Sequence, residues 1–419
     1  MTEVDRLPDV APALRAAAGR FGTPLYLTDA AALETAVDEL RTAFPDPWIR
    51  QFSVKANDVT AIVARLGAAG LGANVVSRGE WAIARRAGIA NNLITLEGVG
   101  KTDADLRAAV RAAAAGDPLR WLAVESASEA AALALIARRA RATLDVLLRF
   151  NPAVEPETQP GLAVGAASSK FGLADDELAV AIEAGGGTDG PLRWRGLHLH
   201  VGSQLGAVDA WRDAVRRALA LGAVFGGRSP GFDTLDVGGG FPALPFGEVA
   251  PRPERFAREL PALLEAVPAD RRPTRLAVEP GRFLVARAGW LVASVLHVRE
   301  RGGRMVVLDA GMTELIRPAL YGARHSIVAL TSLGRQADSP TGDDPADVHG
   351  PICESTDELG WHALPQLRRG DTVAVRDAGA YGASQASTYN GRPRPPQVIL
   401  ETDGRLTLAR RRGSVGSLG

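Results

Sequence analysis

The sequence predicts an α/β fold, a (β/α)8 barrel with a β-rich domain appended, on three observations. From about residue 30 one pattern repeats: a short β-branched run ending in glycine or a polar residue, then an Ala/Leu-rich amphipathic stretch. Eight such units fit within roughly 250 residues, the usual size of such a barrel. After Arg282 the repeat stops, and the remainder of the chain reads as strands and turns. A chain of 419 residues has room for both parts.

The first helix shows the pattern, with Leu33, Val37, Leu40 and Phe44 on one face and Asp29 placed to cap its start. Strands are expected to end near Lys55, Ser77, Glu97, Glu125, Arg149, His200, Gly238 and Glu279. Barrel chemistry gathers at the C-terminal ends of strands, and that is where these polar residues fall. Beyond Arg282 the runs at 290–298, 304–309 and 371–376 read as strands of a second domain. The expected division is therefore 30–283 for the barrel, with 1–29 and 284–419 as the β-rich part. Gln336 to Val348, rich in Asp, Pro, Gly and Ser, reads as an exposed loop, and Gly413 to Gly419 as a frayed tail.

Lys plus Arg (48) equals Asp plus Glu (48), so no basic excess points to nucleic acid or an anionic membrane, and a small molecule is the expected partner. The start, Met-Thr-Glu-Val-Asp-Arg, is acidic and lacks an apolar targeting region, and no apolar stretch runs long enough to span a bilayer. The single cysteine, Cys353, rules out an internal disulfide and suits a reducing cytoplasm. Lys55, Lys101 and Lys170 are the only lysines, so each calls for a reason.

Lys55 follows an apolar run. A surface lysine is the plain reading, but at a barrel strand end among apolar residues its pKa can fall and it can form a Schiff base. That leaves an aldolase or a pyridoxal-phosphate enzyme, and a phosphate site separates them. Asp236-Val-Gly-Gly-Gly-Phe241 lets backbone N–H groups approach an anion, and Glu279-Pro-Gly-Arg282 makes a second such corner. Loops after barrel strands seven and eight are the usual phosphate site. Glu279 could then keep a pyridine nitrogen protonated, its plain alternative being an ion pair with an arginine. Alternation puts His198 and His200 on one strand face; no third ligand cluster supports zinc, and an imidazole stacked on a cofactor ring suits the barrel mouth. Ser203 could add a hydroxyl to a phosphate. Gly98-Val-Gly-Lys-Thr102 fails as a phosphate-binding P-loop because Thr95 stands where a glycine is required, so Lys101 is read as a surface lysine.

Eight motifs run in order along the chain: Gly22-Thr-Pro-Leu-Tyr26, Ser53-Val-Lys-Ala-Asn57, Ser168-Ser-Lys-Phe-Gly172, His200-Val-Gly-Ser-Gln204, Gly238-Gly-Gly-Phe241, Glu279-Pro-Gly-Arg282, Gly350-Pro-Ile-Cys-Glu-Ser355 and Gly379-Ala-Tyr381. As a set they resemble the fold type III pyridoxal-phosphate decarboxylases, most closely the diaminopimelate decarboxylases. The resemblance implies that the N-terminal strand joins the C-terminal β-domain and that two chains form a homodimer with shared active sites. It implies Lys55 as the Schiff-base lysine, His200 on the cofactor ring and Glu279 at the pyridine nitrogen. Ser203, Gly239, Gly281, Arg282 and Tyr381 would complete the cofactor site. Cys353 would donate a proton and Glu354 would hold the substrate's distal amino group, both from the second copy, and Lys170 would pair with Asp357 across the interface.

By the same resemblance, Arg282, Arg317 and Tyr321 would hold a distal carboxylate, which makes meso-diaminopimelate the expected substrate and L-lysine the product. Bidentate carboxylate recognition is what arginine does well, whereas an interface ion pair is the competing use for Arg317. The chain departs from the family at Asn74, where aspartate is usual near the cofactor lysine, and at Gln385, where methionine is common. Those departures admit a related decarboxylase of a siderophore or antibiotic pathway acting on a citryl- or carrier-linked amino acid. A non-catalytic pyridoxal-phosphate carrier is a more distant alternative, since such proteins lack the β-domain and the cysteine motif.

Overall fold

The computed structural model describes residues 5–227 and 231–417. The first four residues of the acidic start and the last two of the expected tail lie outside them. In chain order, helix α1 (Leu7–Phe21) and strand β1 (Leu25–Asp29) lead into helix α2 (Ala30–Ala43). Strands β2 (Ile49–Ser53), β3 (Gly72–Val75), β4 (Ile94–Leu96) and β5 (Trp121–Val124) follow. Then come β6 (Leu144–Arg149), β7 (Leu192–His198), β8 (Thr234–Asp236), β9 (Arg275–Val278) and the long β10 (Gly289–Glu300).

Strands β2 to β9 close into a parallel barrel in sequence order, the eight strands read from the alternating pattern. Closure is made by β2 and β9, with Ile49 opposite Ala277 and Arg50 opposite Val278. Period two decides which side chains turn inward. Trp121, Leu147 and Ala277 fill the barrel with Ile49 against them, and one pleat nearer the C-terminal end Thr95 donates to Gln51 at 2.6 Å. The expected face of α2 is buried at Leu33, Val37, Leu40 and Phe44. Asp29 Oδ1 accepts the Ala31 N–H at 3.1 Å, a cap of the kind anticipated.

The other unit is a mixed sheet. β1 runs antiparallel to β10 and parallel to Gln397–Leu400, so the N-terminal strand does lie within it. Helix α1, which a reading of the start as merely acidic overlooked, packs Leu7, Val10, Leu14 and Ala17 onto Leu25, Leu27, Trp290 and Val292. Those residues recur at helical spacing, the signal that gives the helix away. The expected exposed loop is shorter than 336–348, because Pro345–His349 forms a strand beside Arg304–Leu308 and Glu358–Ala363. Its Ala346 and Val348 are fully buried, an alternation hidden by the flanking aspartates.

Packing divides the chain into two compact units. One comprises Val37–Pro242 and Ala250–Gly281; the other comprises the described residues through Ala36, Ala243–Val249 and everything from Arg282 onward. Compared with limits of 30–283, residues 30–36 and 243–249 count with the sheet. The first group follows directly from β1. The second is tied there by Phe246 N–H on Asp377 at 3.3 Å and by a Glu248–Arg324 ion pair. Among the described residues no helix is long and apolar enough to cross a membrane.

Candidate active site

Within the barrel unit, the inward register at the C-terminal strand ends collects polar side chains. Ser53 lies opposite Asn74, Asn74 opposite Thr95, and His198 opposite both Arg149 and Asp236. Lys55 sits just beyond β2 on a short 3-10 turn, Val54–Ala56, flanked by two buried residues. Its side chain keeps 35% of its surface exposed, so a reactive amine there can be reached.

The Lys55 Nζ donates to Glu97 Oε1 at 3.1 Å. The other Glu97 oxygen lies 3.0 Å from His198 Nε2, which is in turn 3.1 Å from Glu279 Oε2. Glu97, His198 and Glu279 are all buried. Burial works against a charged His198, yet Glu279 and Glu97 outweigh it and push its pKa up to about 10. Burial also opposes ionisation of Glu97, but Lys55, His198 and Arg149 hold it well below the usual carboxylate range. Asp236 goes the other way: burial, aided by the Glu279 charge, raises its pKa well above the ordinary value. The three donors of Glu97, His198 and Glu279 lie within 4.8 Å of one another, a spacing a cation could use. Two carboxylates, one ammonium and one imidazolium already balance without one.

His200 behaves differently from His198. It is buried, and desolvation together with Lys55 and Arg149 lowers its pKa well below the ordinary value, leaving a neutral ring. Its Nδ1 accepts the Gly239 N–H at 3.2 Å, which fixes the ring against the glycine run. A Cβ at Gly239 would come within 2.4 Å of the Glu279 carbonyl, and Gly238 holds φ +70. Only glycine closes that corner. The second corner is equally tight: Glu279 N–H reaches Gly238 O at 2.8 Å, Ser53 Oγ donates to Glu279 O at 2.9 Å, and a Cβ at Gly281 would press on Ser53 and Ala56. Ser203 donates its N–H to Leu162 O at 3.2 Å and accepts from Thr158 through its carbonyl.

These residues fit the cofactor that the sequence implies. Glu279 Oε1 is buried with no hydrogen-bond partner, the group a protonated pyridine nitrogen would satisfy. The paired glycine corners bring backbone without Cβ to the barrel mouth, His200 offers a neutral flat ring, and Lys55 an accessible amine.

In the sheet unit a second cluster forms. Arg282 and Arg317 are both buried. The Arg282 guanidinium lies 4.6 Å from the Tyr381 ring centre, and Arg317 lies 5.9 Å from it and 5.7 Å from the Tyr321 ring. Arg317 has no ion-pair partner among the described residues, and its Nε is buried without a hydrogen bond. Burial, then the Arg282 charge, lowers its pKa to about 10. Tyr381 holds φ +59, a left-handed conformation that a bulky residue rarely adopts and that marks functional positions. Cys353 and Glu354 are exposed and take their partners from the 389–390 turn: Asn390 Nδ2 donates to Cys353 Sγ at 3.4 Å, and Tyr389 donates to Glu354 at 2.5 Å.

One lysine reading needs correction. Lys101 is not a surface residue: its side chain is 1% exposed, pairs with Glu129 at 2.9 Å and donates to Gly98 O at 2.6 Å. Asp357, expected to meet Lys170 across an interface, is buried and accepts N–H groups from Met312 and Ile352 at 2.5 and 2.7 Å. Sequence reasoning also passed over Glu97 as more than a strand end. Its signal was a lone carboxylate closing the apolar run Ile-Thr-Leu, two residues beyond inward-facing Thr95.

Comparison with known proteins places this geometry. The family model described as pyridoxal-dependent decarboxylase, pyridoxal binding domain, matches residues 30–286. The diaminopimelate decarboxylase of Aquifex aeolicus is 36% identical, over 95% of this chain and 91% of that relative. That of Deinococcus radiodurans is 37% identical, over 92% of each. The crystal structure of diaminopimelate decarboxylase from Helicobacter pylori complexed with L-lysine is similar at a TM-score of 0.88, with 29% identity, 96% of this chain and 98% of that one covered.

Proposed function

We propose that this chain, which belongs to the pyridoxal-dependent decarboxylases, removes one carboxylate of meso-diaminopimelate as carbon dioxide and leaves L-lysine. The observation that carries the substrate is the pair of buried guanidinium groups on Tyr381, one of them, Arg317, lacking any ion-pair partner among the described residues. Two like charges held out of water destabilise the free protein and favour an incoming carboxylate. A substrate with a second carboxylate, distant from the reacting centre, supplies that anion.

Pyridoxal phosphate, when bound, supplies the sink for the electrons left when carbon dioxide departs. Lys55 would hold it through the ε-amine, and the buried Glu279 carboxylate would face its pyridine nitrogen. Protonated His198 donates to Glu279 Oε2 at 3.1 Å and so holds that carboxylate in place. Neutral His200 would lie on the ring, with Gly239, Gly281, Arg282 and Tyr381, together with Ser203, around the phosphate. Arg282, Arg317 and Tyr321 would grip the distal carboxylate.

We further infer a homodimer in which each site is completed by the second copy. Support comes from the exposure of Cys353 and Glu354, a thiol and a carboxylate placed side by side on the surface of a single chain. In that reading the Cys353 thiol returns the proton to the substrate carbon and Glu354 binds the distal ammonium. A free exposed cysteine also suits a cytoplasmic enzyme. Carbon dioxide release from meso-diaminopimelate by the loaded protein tests the substrate. Turnover of a citryl- or carrier-linked amino acid in its place would favour the secondary-pathway alternative that Asn74 and Gln385 admit.

A further inference from the structure

The resemblance drawn from the sequence leads one to expect an aspartate at residue 74, and the chain has Asn74 there. Asn74 is fully buried, and neither atom of its amide has a hydrogen-bond partner. It faces into the barrel between Ser53 and Thr95 and makes no contact that would hold an ammonium. One pleat nearer the mouth on the next strand, Glu97 does hold it, with Oε1 at 3.1 Å from Lys55. We propose, resting on the cofactor reading above, that Glu97 is the positioning residue of Lys55: the carboxylate at the end of β4 holds the ε-amine, and its second oxygen lies against His198, which also meets Glu279.

Three observations support this assignment. Glu97 is buried, so its position is set by packing rather than by solvent. Its second oxygen faces His198, which also meets Glu279; the carboxylate thus has one oxygen for the lysine and one for the bridge. The charges balance locally. Around the pair stand Asp58, which follows the Lys55 turn, Glu80 beyond β3, Arg149 at the end of β6, Asp236 at the end of β8, and neutral His200. Arg149 is itself matched by Glu125 at 2.7 Å, and Glu97 is in direct contact with Lys55 at 3.1 Å.

The deciding experiment titrates the visible absorbance of the pyridoxal-phosphate-loaded protein against pH, beside a decarboxylation assay on meso-diaminopimelate. Wild type is compared with Glu97→Gln, Glu97→Asp and the double variant Asn74→Asp/Glu97→Gln. Losing an opposite charge at this distance should move the midpoint of Glu97→Gln down by about one pH unit, because the protonated nitrogen is no longer favoured. Glu97→Asp should keep part of the wild-type value, and the double variant should recover at least half of the shift. An unmoved midpoint in Glu97→Gln, or a double variant that titrates like it, overturns the assignment. Should Glu97→Gln fail to take up the cofactor, uptake is followed by borohydride trapping and the mass of the Lys55 peptide. Recovery in the double variant then supports the assignment, and equal failure in a folded double variant overturns it. A wild type with neither visible band nor carbon dioxide release overturns the proposed function instead.

Discussion

The barrel unit and the sheet unit each bury a cluster of charges, and the two are built on opposite principles. In the barrel, Lys55, Glu97, His198 and Glu279 alternate in sign and hold one another at 3.0 to 3.1 Å. In the sheet unit, Arg282 and Arg317 bring like charges to one tyrosine, and burial plus mutual repulsion lowers the Arg317 pKa. The matched cluster balances its charges without a ligand and leaves Glu279 Oε1 open to a donor; the mismatched one is stabilised by an anion. The first suits holding a cofactor lysine in a set protonation state, the second suits selecting an anion.

That contrast can be broken from either side. The largest expected effect is at Lys55: Lys55→Ala should abolish both the visible band of bound pyridoxal phosphate and carbon dioxide release, measured on the same preparation. Next comes His198→Gln, which leaves two buried carboxylates facing each other and should cost about 3–5 kcal/mol of unfolding free energy near pH 6. The folded-state pKa of His198, about 10, stands above its ordinary 6.5. Its contribution is therefore complete below about pH 6.5 and is lost as pH rises toward 10. Denaturant unfolding of the two proteins should converge over that window; curves that stay parallel would refute a protonated His198.

The mismatched cluster should answer in the reverse sense. Arg317→Met removes a buried charge with no ion-pair partner among the described residues, so it should stabilise the ligand-free protein by about 1 kcal/mol. The same change should lower kcat/KM for meso-diaminopimelate roughly 10- to 100-fold, the value of a charged hydrogen bond. Loss of stability together with loss of activity would place Arg317 in a structural ion pair instead. The smallest effect is a control away from both clusters. Thr102 and Asp105 form a reciprocal cap on the helix Asp103–Ala114, and Thr102→Ala should cost about 1 kcal/mol in thermal unfolding with activity unchanged.

How legible these clusters were differs as well. The strand ends were readable because each is a local signal, a polar residue closing an apolar run. Lys55, His200, Glu279 and the glycine corners fell out of that reading. Glu97 did not, because its role needs the adjacency of β2 and β3, of β3 and β4, and then a reach across the barrel to β7. Its partner His198 lies 101 residues on, and Glu279 a further 81. Lys101 was misread for a related cause: nothing beside it in the chain announces Glu129, which covers it.

By itself the sequence determined the barrel and the mixed sheet and singled out Lys55 as the candidate Schiff-base lysine, since alternation, turn residues and ordered motifs are properties of neighbours along the chain. Only the tertiary structure decided which groups carry charge. Whether His198 is an imidazolium, His200 neutral or Arg317 uncompensated depends on burial and on residues brought within about 3 to 6 Å by closure of the fold. Protonation is set by neighbours in space, and closing a barrel or folding a sheet makes neighbours of residues that the chain keeps far apart.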